Sequence, residues 1–245
     1  MRTLTLILLL QLTACIDTGQ EQISFPFSVA GTEHKDGFEG RNGWIITLQR
    51  ADLAFGPLYL CAGTRAGELC ENARGQWLQS VVVDALNAEA QPAGTIEAYS
   101  GTVRSWMYDL GFASLLTQED SLELQAAKDL GGSSLRISGT AEQGATIIPF
   151  TGNLRLVRQE ETEQGVSLVR SSSSDVFENT LSQSSELHIV FDASAWFASL
   201  DFANVAQSAG CIDSLCEEQD LAEHEQALRA LSNDIVAGQR PSFQW

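Results

Sequence analysis

The sequence predicts a mainly β fold, an antiparallel β-sandwich with one amphipathic helix near its C-terminal end. Short apolar runs of strand length are separated by Gly, Asn, Asp and Ser along most of the chain. Several runs alternate apolar and polar residues, as at Leu135/Ile137 and Leu154/Leu156, so that each strand has one face to bury. Near the C-terminal end the apolar period becomes helical instead.

The predicted strands follow one another in chain order. They are expected at residues 23–29, 44–48, 53–60, 77–85, 94–108, 121–126, 135–140, 145–157, 165–170 and 187–191. Pro26 indicates an edge position for the first strand, because proline cannot donate to a strand ladder. The glycine-rich segment 31–43 is predicted to be a loop. Residues 196–202 fit a short helix or a turn, and residues 241–245 a last short strand.

The C-terminal helix is predicted at about residues 217–236. Acidic residues come early in this segment and Arg229 comes late, which suits the helix dipole. Gly238 follows as a candidate C-cap. The apolar residues that share one helical face are Leu221, Leu228, Leu231 and Ile235.

Composition excludes several classes of protein. The 245 residues include 14 Lys and Arg against 32 Asp and Glu, a formal net charge of -18. A nucleic-acid binder needs clustered cations to displace counterions from phosphates, so that class is excluded. A hydrophobic content of 44% is too high for a disordered chain, and no composition break marks a linker. We therefore expect a single domain over residues 23–245.

The first residues have the composition of a secretory signal. Arg2 precedes an apolar run at residues 4–12, and the small residue Ala14 follows it. The run is shorter than the roughly 20 apolar residues of a spanning helix. The segment Leu12-Thr13-Ala14-Cys15 resembles the lipobox of bacterial lipoproteins. An ordinary secretory signal that happens to be followed by a cysteine is the alternative.

The lipobox resemblance implies removal of residues 1–14 and lipidation of Cys15. In that family the thiol carries a diacylglyceryl group and the new amine is usually acylated. Several acyl chains on one residue hold a protein firmly on a bilayer. Residues 15–22 are then the lipidated cysteine and a polar tether. Ile16 follows Cys15 where retained inner-membrane lipoproteins have Asp, so the resemblance implies the outer membrane within the cell envelope.

Four further cysteines predict two disulfides. An even number of cysteines in an exported protein indicates bridges. Three connectivities are possible, and the spacings favour the local pairs Cys61–Cys70 and Cys211–Cys216. A zinc site is the weaker alternative, because the spacings are not those of paired C-x2-C knuckles.

Candidate binding residues come from one loop and one aromatic cluster. His34 shares the glycine-rich loop with Glu33 and Asp36, and these three with Met107 could hold zinc or copper. Exposed aromatic residues on a sheet suit ligand binding, and Tyr99, Trp106 and Tyr108 form the densest aromatic group. His188 is expected to point outward from its strand, and His224 to lie on a solvated helix face.

No catalytic residue is predicted. The sequence has no G-x-S-x-G elbow, P-loop, G-x-G-x-x-G after a strand, or H-E-x-x-H motif. We therefore expect a non-enzymatic, lipid-anchored envelope protein that binds a protein partner or a small ligand and no nucleic acid. The alternatives are a periplasmic metal-binding lipoprotein and, third, a hydrolase.

A second resemblance covers about 60 residues. The segments are 52–60 (DLAFGPLYL), 81–85 (VVVDA) and 94–101 (GTIEAYSG), followed by 108–111 (YDLG). Their order resembles exported β-sandwich lipoproteins of bacteria, including the four-cysteine metal-binding partners of di-haem peroxidases. The resemblance implies the fold alone, because the cysteine spacings and the small number of histidines differ from those of the metal-binding members.

Overall fold

The computed structural model describes residues 19–63, 70, 73–111, 130–156, 168–172, 178–212, 214–238 and 240–245. The signal segment, Cys15 and the strand predicted at 121–126 lie outside these residues. The strands are β1 (Gln22–Ala30), β2 (Phe38–Glu39), β3 (Ile45–Cys61), β4 (Ala73–Trp77), β5 (Val81–Asp84), β6 (Gln91–Tyr99), β7 (Gly101–Val103), β8 (Ser105–Gly111), β9 (Leu135–Gln143), β10 (Thr146–Leu154), β11 (Leu168–Ser172), β12 (Asn179–Leu181), β13 (Leu187–Val190), β14 (Cys211–Ile212), β15 (Leu215–Cys216), β16 (Gln219–Asp220) and β17 (Ser242–Gln244). The helices are 3-10 helices at Arg41–Gly43 and Ala193–Phe197, α1 (Phe202–Ala206) and α2 (Glu225–Ala237).

The protein is mainly β. Fifteen strands form one hydrogen-bonded network, and β7 and β12 form a separate pair. Apolar and polar residues alternate along several strands, so each of these strands buries one face. β1, for example, buries Ile23, Phe25, Phe27 and Val29, while the residues between them face outward. The buried side chains of the strands and helices join in one large core.

Strand β3 is the longest element among the described residues, and it organises the network. The sequence predicts two strands here, at 44–48 and 53–60, but β3 runs unbroken over 17 residues. The segment between the predicted strands stays paired with β9, at Ala51↔Ile137 and Asp52↔Arg136. β3 therefore pairs with five strands, namely β2, β4, β5, β8 and β9.

The expectation of a wholly antiparallel sheet is wrong. β13 lies parallel to β1, with Phe27 opposite Leu187, and β15 and β16 lie parallel to β10. Parallel neighbours need a long crossover connection. The chain between β1 and β13 supplies one, and it contains most of the other strands of the network.

Pro26 does not mark an edge strand. β1 lies between β6 and β13 in the network. Pairing with β13 starts only at Phe27, one residue after Pro26. The backbone N–H that proline lacks is therefore not needed for a hydrogen bond to β13. The proline is tolerated because of this register, although the strand itself is internal.

The amphipathic helix α2 is present, but it begins eight residues later than the sequence predicts. Gln219 and Asp220 pair with β10 instead of starting the helix. The carboxylate of Asp220 then accepts a hydrogen bond from Ala222 N at 2.9 Å, which forms a turn ahead of His224, the N-cap residue. The helix ends at Ala237.

Aromatic contacts connect the strands with the helices. The ring of Phe150 on β10 lies 5.9 Å from that of Phe197 and 5.1 Å from that of Phe202. Trp44 lies 5.9 Å from Phe202 on its other side. The 3-10 helix that ends at Phe197 and helix α1 are thereby fixed on the core.

Candidate functional site: a cleft between the helices

A cleft of about 520 Å³ lies beside α1, α2 and the 3-10 helix at Arg41–Gly43. Its lining includes both apolar and polar side chains. The apolar residues are Leu200, Val205, Ala227 and Ala230. The polar residues are Arg41, Ser199, Asp201, Asn204, His224, Glu225, Gln226 and Asn233.

A buried carboxylate fixes the position of α2. Asp234 accepts hydrogen bonds from Ser199 N at 2.6 Å and from Ser199 Oγ at 2.7 Å. Hydrogen bonds to an ionised acceptor are stronger than neutral ones. The pair therefore ties the last turns of α2 to the segment that leads into α1.

The loop at Arg41 is fastened to α1 in a similar way. Asn42 Nδ2 donates to Asp201 Oδ2 at 2.9 Å, and the other oxygen of Asp201 accepts from Ala203 N at 3.0 Å. Asp201 is thus the N-cap of α1 and a bridge to the loop. Arg41 donates to Ser199 O at 3.3 Å. These contacts connect three of the segments that line the cleft.

Several polar and charged side chains of the cleft have partners within the protein. Asp201 is held as described above, and Glu225 pairs with Arg229 one turn along α2. His224 Nε2 lies 3.2 Å from Gln219 Oε1, and its Nδ1 lies 3.4 Å from Ser208 Oγ. The cleft therefore offers one guanidinium, amide side chains and carboxylates together with four apolar side chains, a pattern that suits a small polar molecule.

The predicted metal ligands are not assembled in the structure. His34 Nε2 donates to Asp192 Oδ1 at 3.0 Å, whereas Glu33 pairs with Lys35 at 3.1 Å. Met107 is buried on β8. Within the described part of the chain, no group of three or more His, Cys, Asp and Glu side chains, Asp36 included, could hold a metal ion.

Asp192 is the partner of His34 that the sequence did not reveal. It lies two residues after the end of β13 and caps the 3-10 helix at Ala193–Phe197. Ser194 donates to Asp192 Oδ1 from its backbone N at 3.0 Å and from Oγ at 2.7 Å. Burial alone raises the pKa of Asp192, but the hydrogen bonds from Ser194 and His34 outweigh it and hold the pKa below its usual value. An Asp followed two residues later by Ser at a strand end is the sequence signal of this cap.

The predicted aromatic ligand site is divided between the core and the surface. Residues 105–110 of β8 are all buried, because β8 pairs with β3 on one side and β11 on the other and both its faces are covered. Trp106 stacks on Phe243 with ring centroids 4.2 Å apart, and Tyr108 is 1% exposed. Tyr99 on β6 is 50% exposed. Of the three residues, Tyr99 alone is open to a ligand.

His188 lies on the outer face of the sheet, between its buried neighbours Leu187 and Ile189. Its Nδ1 lies 2.7 Å from Ser28 Oγ, and its Nε2 lies 3.6 Å from Glu186 Oε1. Ser28 and His188 are direct neighbours in the pairing of β1 with β13. They do not line the cleft. The contact is thus a cross-strand hydrogen bond on an open sheet surface.

Both local disulfides favoured by the cysteine spacings are present. Cys61–Cys70 lies at the end of β3, and Cys211–Cys216 joins β14 to β15.

In the described residues, no helix has both the length and the apolar composition needed to cross a bilayer.

Comparison with known proteins adds one structural similarity. No family model matches the chain, and no curated protein matches it. The solved structure of MbnP from Methylosinus trichosporium is similar over 80% of both chains, with 9% sequence identity and a TM-score of 0.37. These values are too low for the similarity to indicate a shared function.

Proposed function

We propose that the protein is exported, is held in the cell envelope by lipids on Cys15, and binds a small polar molecule in the cleft without transforming it. Two disulfides support export, since such bridges persist in oxidising compartments. The lipobox-like segment before Cys15 supports the anchor, and Ile16 after it supports the outer membrane.

The proposal includes a single domain over residues 23–245, folded as a β-sandwich whose two layers share β3. One half of β3 pairs with β9 and the other half with β4 and β8. A contact between the rings of Phe55 and Phe191, 5.3 Å apart, supports face-to-face packing of the two groups of strands.

The cleft is the observation that carries the binding function. Its volume of about 520 Å³ falls within the roughly 300–1,000 Å³ of small-molecule sites. Its walls are connected by the hydrogen bonds of Asp234 and Asp201, so the site is formed before a ligand arrives. A preformed site does not lose binding free energy to ordering its own side chains.

A thermal-unfolding screen tests the binding function. The probes are defined classes of polar solutes: amino acids, disaccharides, polyamines and dicarboxylates. A ligand at 100 times its Kd stabilises the folded state by about 2.7 kcal/mol, which raises Tm by several degrees in a domain of this size. We expect one class to raise the Tm of the wild-type protein.

Two matched variants connect the shift to the cleft. Asn204→Trp places a large ring in the cleft from an exposed position on α1. Gln207→Trp adds the same ring at the end of α1, outside the lining. We expect the first variant to lose the Tm shift and the second to keep it. Equal shifts in both variants, or no shift with any class, would contradict the proposal.

The anchor has its own test. Cys15→Ser should move the protein from the membrane fraction to the soluble fraction, and intact-mass spectrometry of the wild-type protein should show the added acyl chains. A wild-type mass equal to that of the unmodified polypeptide would remove the anchor and leave the cleft proposal standing.

A further inference from the structure

The described chain begins at one end of the sheet. β1 starts at Gln22, opposite Tyr99, and Ser100 N donates to Glu21 O at 2.7 Å. Arg104 N donates to Cys61 O at 2.9 Å, which brings the end of β3 to the same place. We call this region the tether end and define it by Gln22, Cys61, Arg74, Tyr99 and Arg104.

The tether, even when fully extended, is no longer than the first strand. Seven residues lead from Cys15 to Gln22, and a fully extended chain covers at most about 3.6 Å per residue, or about 25 Å in total. The nine residues of β1 then span about 30 Å to Ala30. If Cys15 is lipidated, as proposed above, the tether end is the part of the sheet held nearest to the bilayer.

The tether end has side chains that suit a membrane surface. Tyr99 is 50% exposed, and tyrosine is enriched at membrane interfaces because its ring is apolar and its hydroxyl is polar. Arg74 and Arg104 add two cations at this end, with the guanidinium of Arg74 beside Gly101 and Arg104 paired with Glu178 at 3.8 Å. Among the described residues, Glu21 and Glu97 are the other acids of the tether end, so its two cations stand against three carboxylates and the described net charge is -1.

The opposite end of the sheet is strongly acidic. This acidic end consists of Ala30, the loop 31–37, the turn 84–90, and residues 191 and 192 after β13. Gly31 N donates to Asn87 O, and Phe191 N donates to Ala30 O, which joins these segments. This end contains one lysine, Lys35, and five carboxylates, which are those of Glu33, Asp36, Asp84, Glu89 and Asp192. Anionic headgroups repel such a surface and orient the molecule with this end outward.

We propose that the tether end rests on the phospholipid headgroups, with Tyr99 in the interface, and that the cleft opens on the side away from the bilayer. The second part is argued from contacts that connect the cleft with the acidic end: His34 in the loop 31–37 bonds to Asp192, and Arg41, which lines the cleft, donates to Ser199 O. The 3-10 helix at Ala193–Phe197 and then α1 come directly after β13, whose last residue Val190 pairs with Ala30 at the acidic end. A solute in the surrounding water therefore reaches the cleft without crossing the membrane surface.

Photo-cross-linking to lipid tests this orientation. A benzophenone side chain is placed at position 99, 78 or 89 of the full-length lipidated protein, in vesicles of phosphatidylethanolamine and phosphatidylglycerol. Leu78 is the matched control, because it is apolar and 52% exposed but lies outside the tether end. Glu89 represents the acidic end. We expect several-fold more lipid adduct at position 99 than at either control.

The outcomes separate the orientation from the anchor. Equal adducts at all three positions, or none at position 99, on protein whose mass shows the acyl chains would overturn the orientation while the anchor stands. A mass without acyl chains would overturn both.

Discussion

Removal of the Asp234 carboxylate should destabilise the protein through one identifiable pair of contacts. Asp234 is 7% exposed and accepts two hydrogen bonds from Ser199. A hydrogen bond to a charged group contributes about 1.5–3 kcal/mol, and the exposed position of Ser199 favours the lower value. Asp234→Ala removes both bonds, so we expect a loss of about 3 kcal/mol in the free energy of unfolding. Asp234→Asn keeps one acceptor oxygen and should lose about half as much.

Urea unfolding followed by circular dichroism measures the effect. The Asp234→Ala protein should show a lower midpoint with an unchanged m-value, and a Tm about 6–12 °C below that of the wild type. Asn233→Ala is the control, because Asn233 is the exposed neighbour of Asp234 in α2. It should change the free energy of unfolding by no more than about 0.5 kcal/mol. If both variants lose the same amount, the role given to Asp234 is refuted.

Three further predictions concern the pH dependence and the packing of the fold. The pKa of Asp192 in the folded state is below its unfolded value of 3.8, so the ionised carboxylate stabilises the fold above that pH, and this contribution is lost as the pH falls through the folded-state pKa. Asp192→Asn should therefore make the free energy of unfolding fall less steeply with decreasing pH on the acid side. An unchanged acid side of the stability–pH curve would contradict this. Phe150→Ala should lose about 3–5 kcal/mol in urea unfolding, because it empties the space between β10 and the helices; a loss under about 1 kcal/mol would show that those rings do not depend on it. Gly31→Ala should lower Tm sharply, since its Cβ would overlap the backbone of Ala85, whereas Gly63→Ala, whose Cβ would meet no other described residue within 4 Å, should not; similar Tm values would refute the close approach.

The fold could be predicted where the pattern was local. Alternation located β1, β9, β10 and β13, and the helical period located α2. It could not give the continuity of β3 or the position of Pro26 inside the sheet, because both depend on partners far along the chain. β3 stays a strand through Arg50 because β9 pairs with it there. Pro26 is tolerated because the pairing of β1 with β13 starts one residue later, at Phe27.

The candidate site was harder to predict than the fold. Its lining comes from residues 41, 199–205 and 224–233, which no spacing connects. The proximity of His34 to Glu33 in sequence indicated a shared ligand, but the imidazole instead bonds to Asp192, 158 residues away. Trp106 and Tyr108 have the composition of a binding surface, but both are buried in the core, where Trp106 stacks on Phe243.

The parallel pairing of β1 with β13 has a consequence for how the protein is made. β1 can pair with β13, its second neighbour, only when residues 187–190 are available. This pairing therefore has to wait until more than three quarters of the chain has been synthesised. Pairing over such separations makes folding slow, since the loss of chain entropy precedes the gain from contacts. A polypeptide delivered in order from its amino end would therefore leave the β13 side of β1 unpaired until its last quarter arrives, whereas β9 and β10 can pair as soon as residues 135–154 are present.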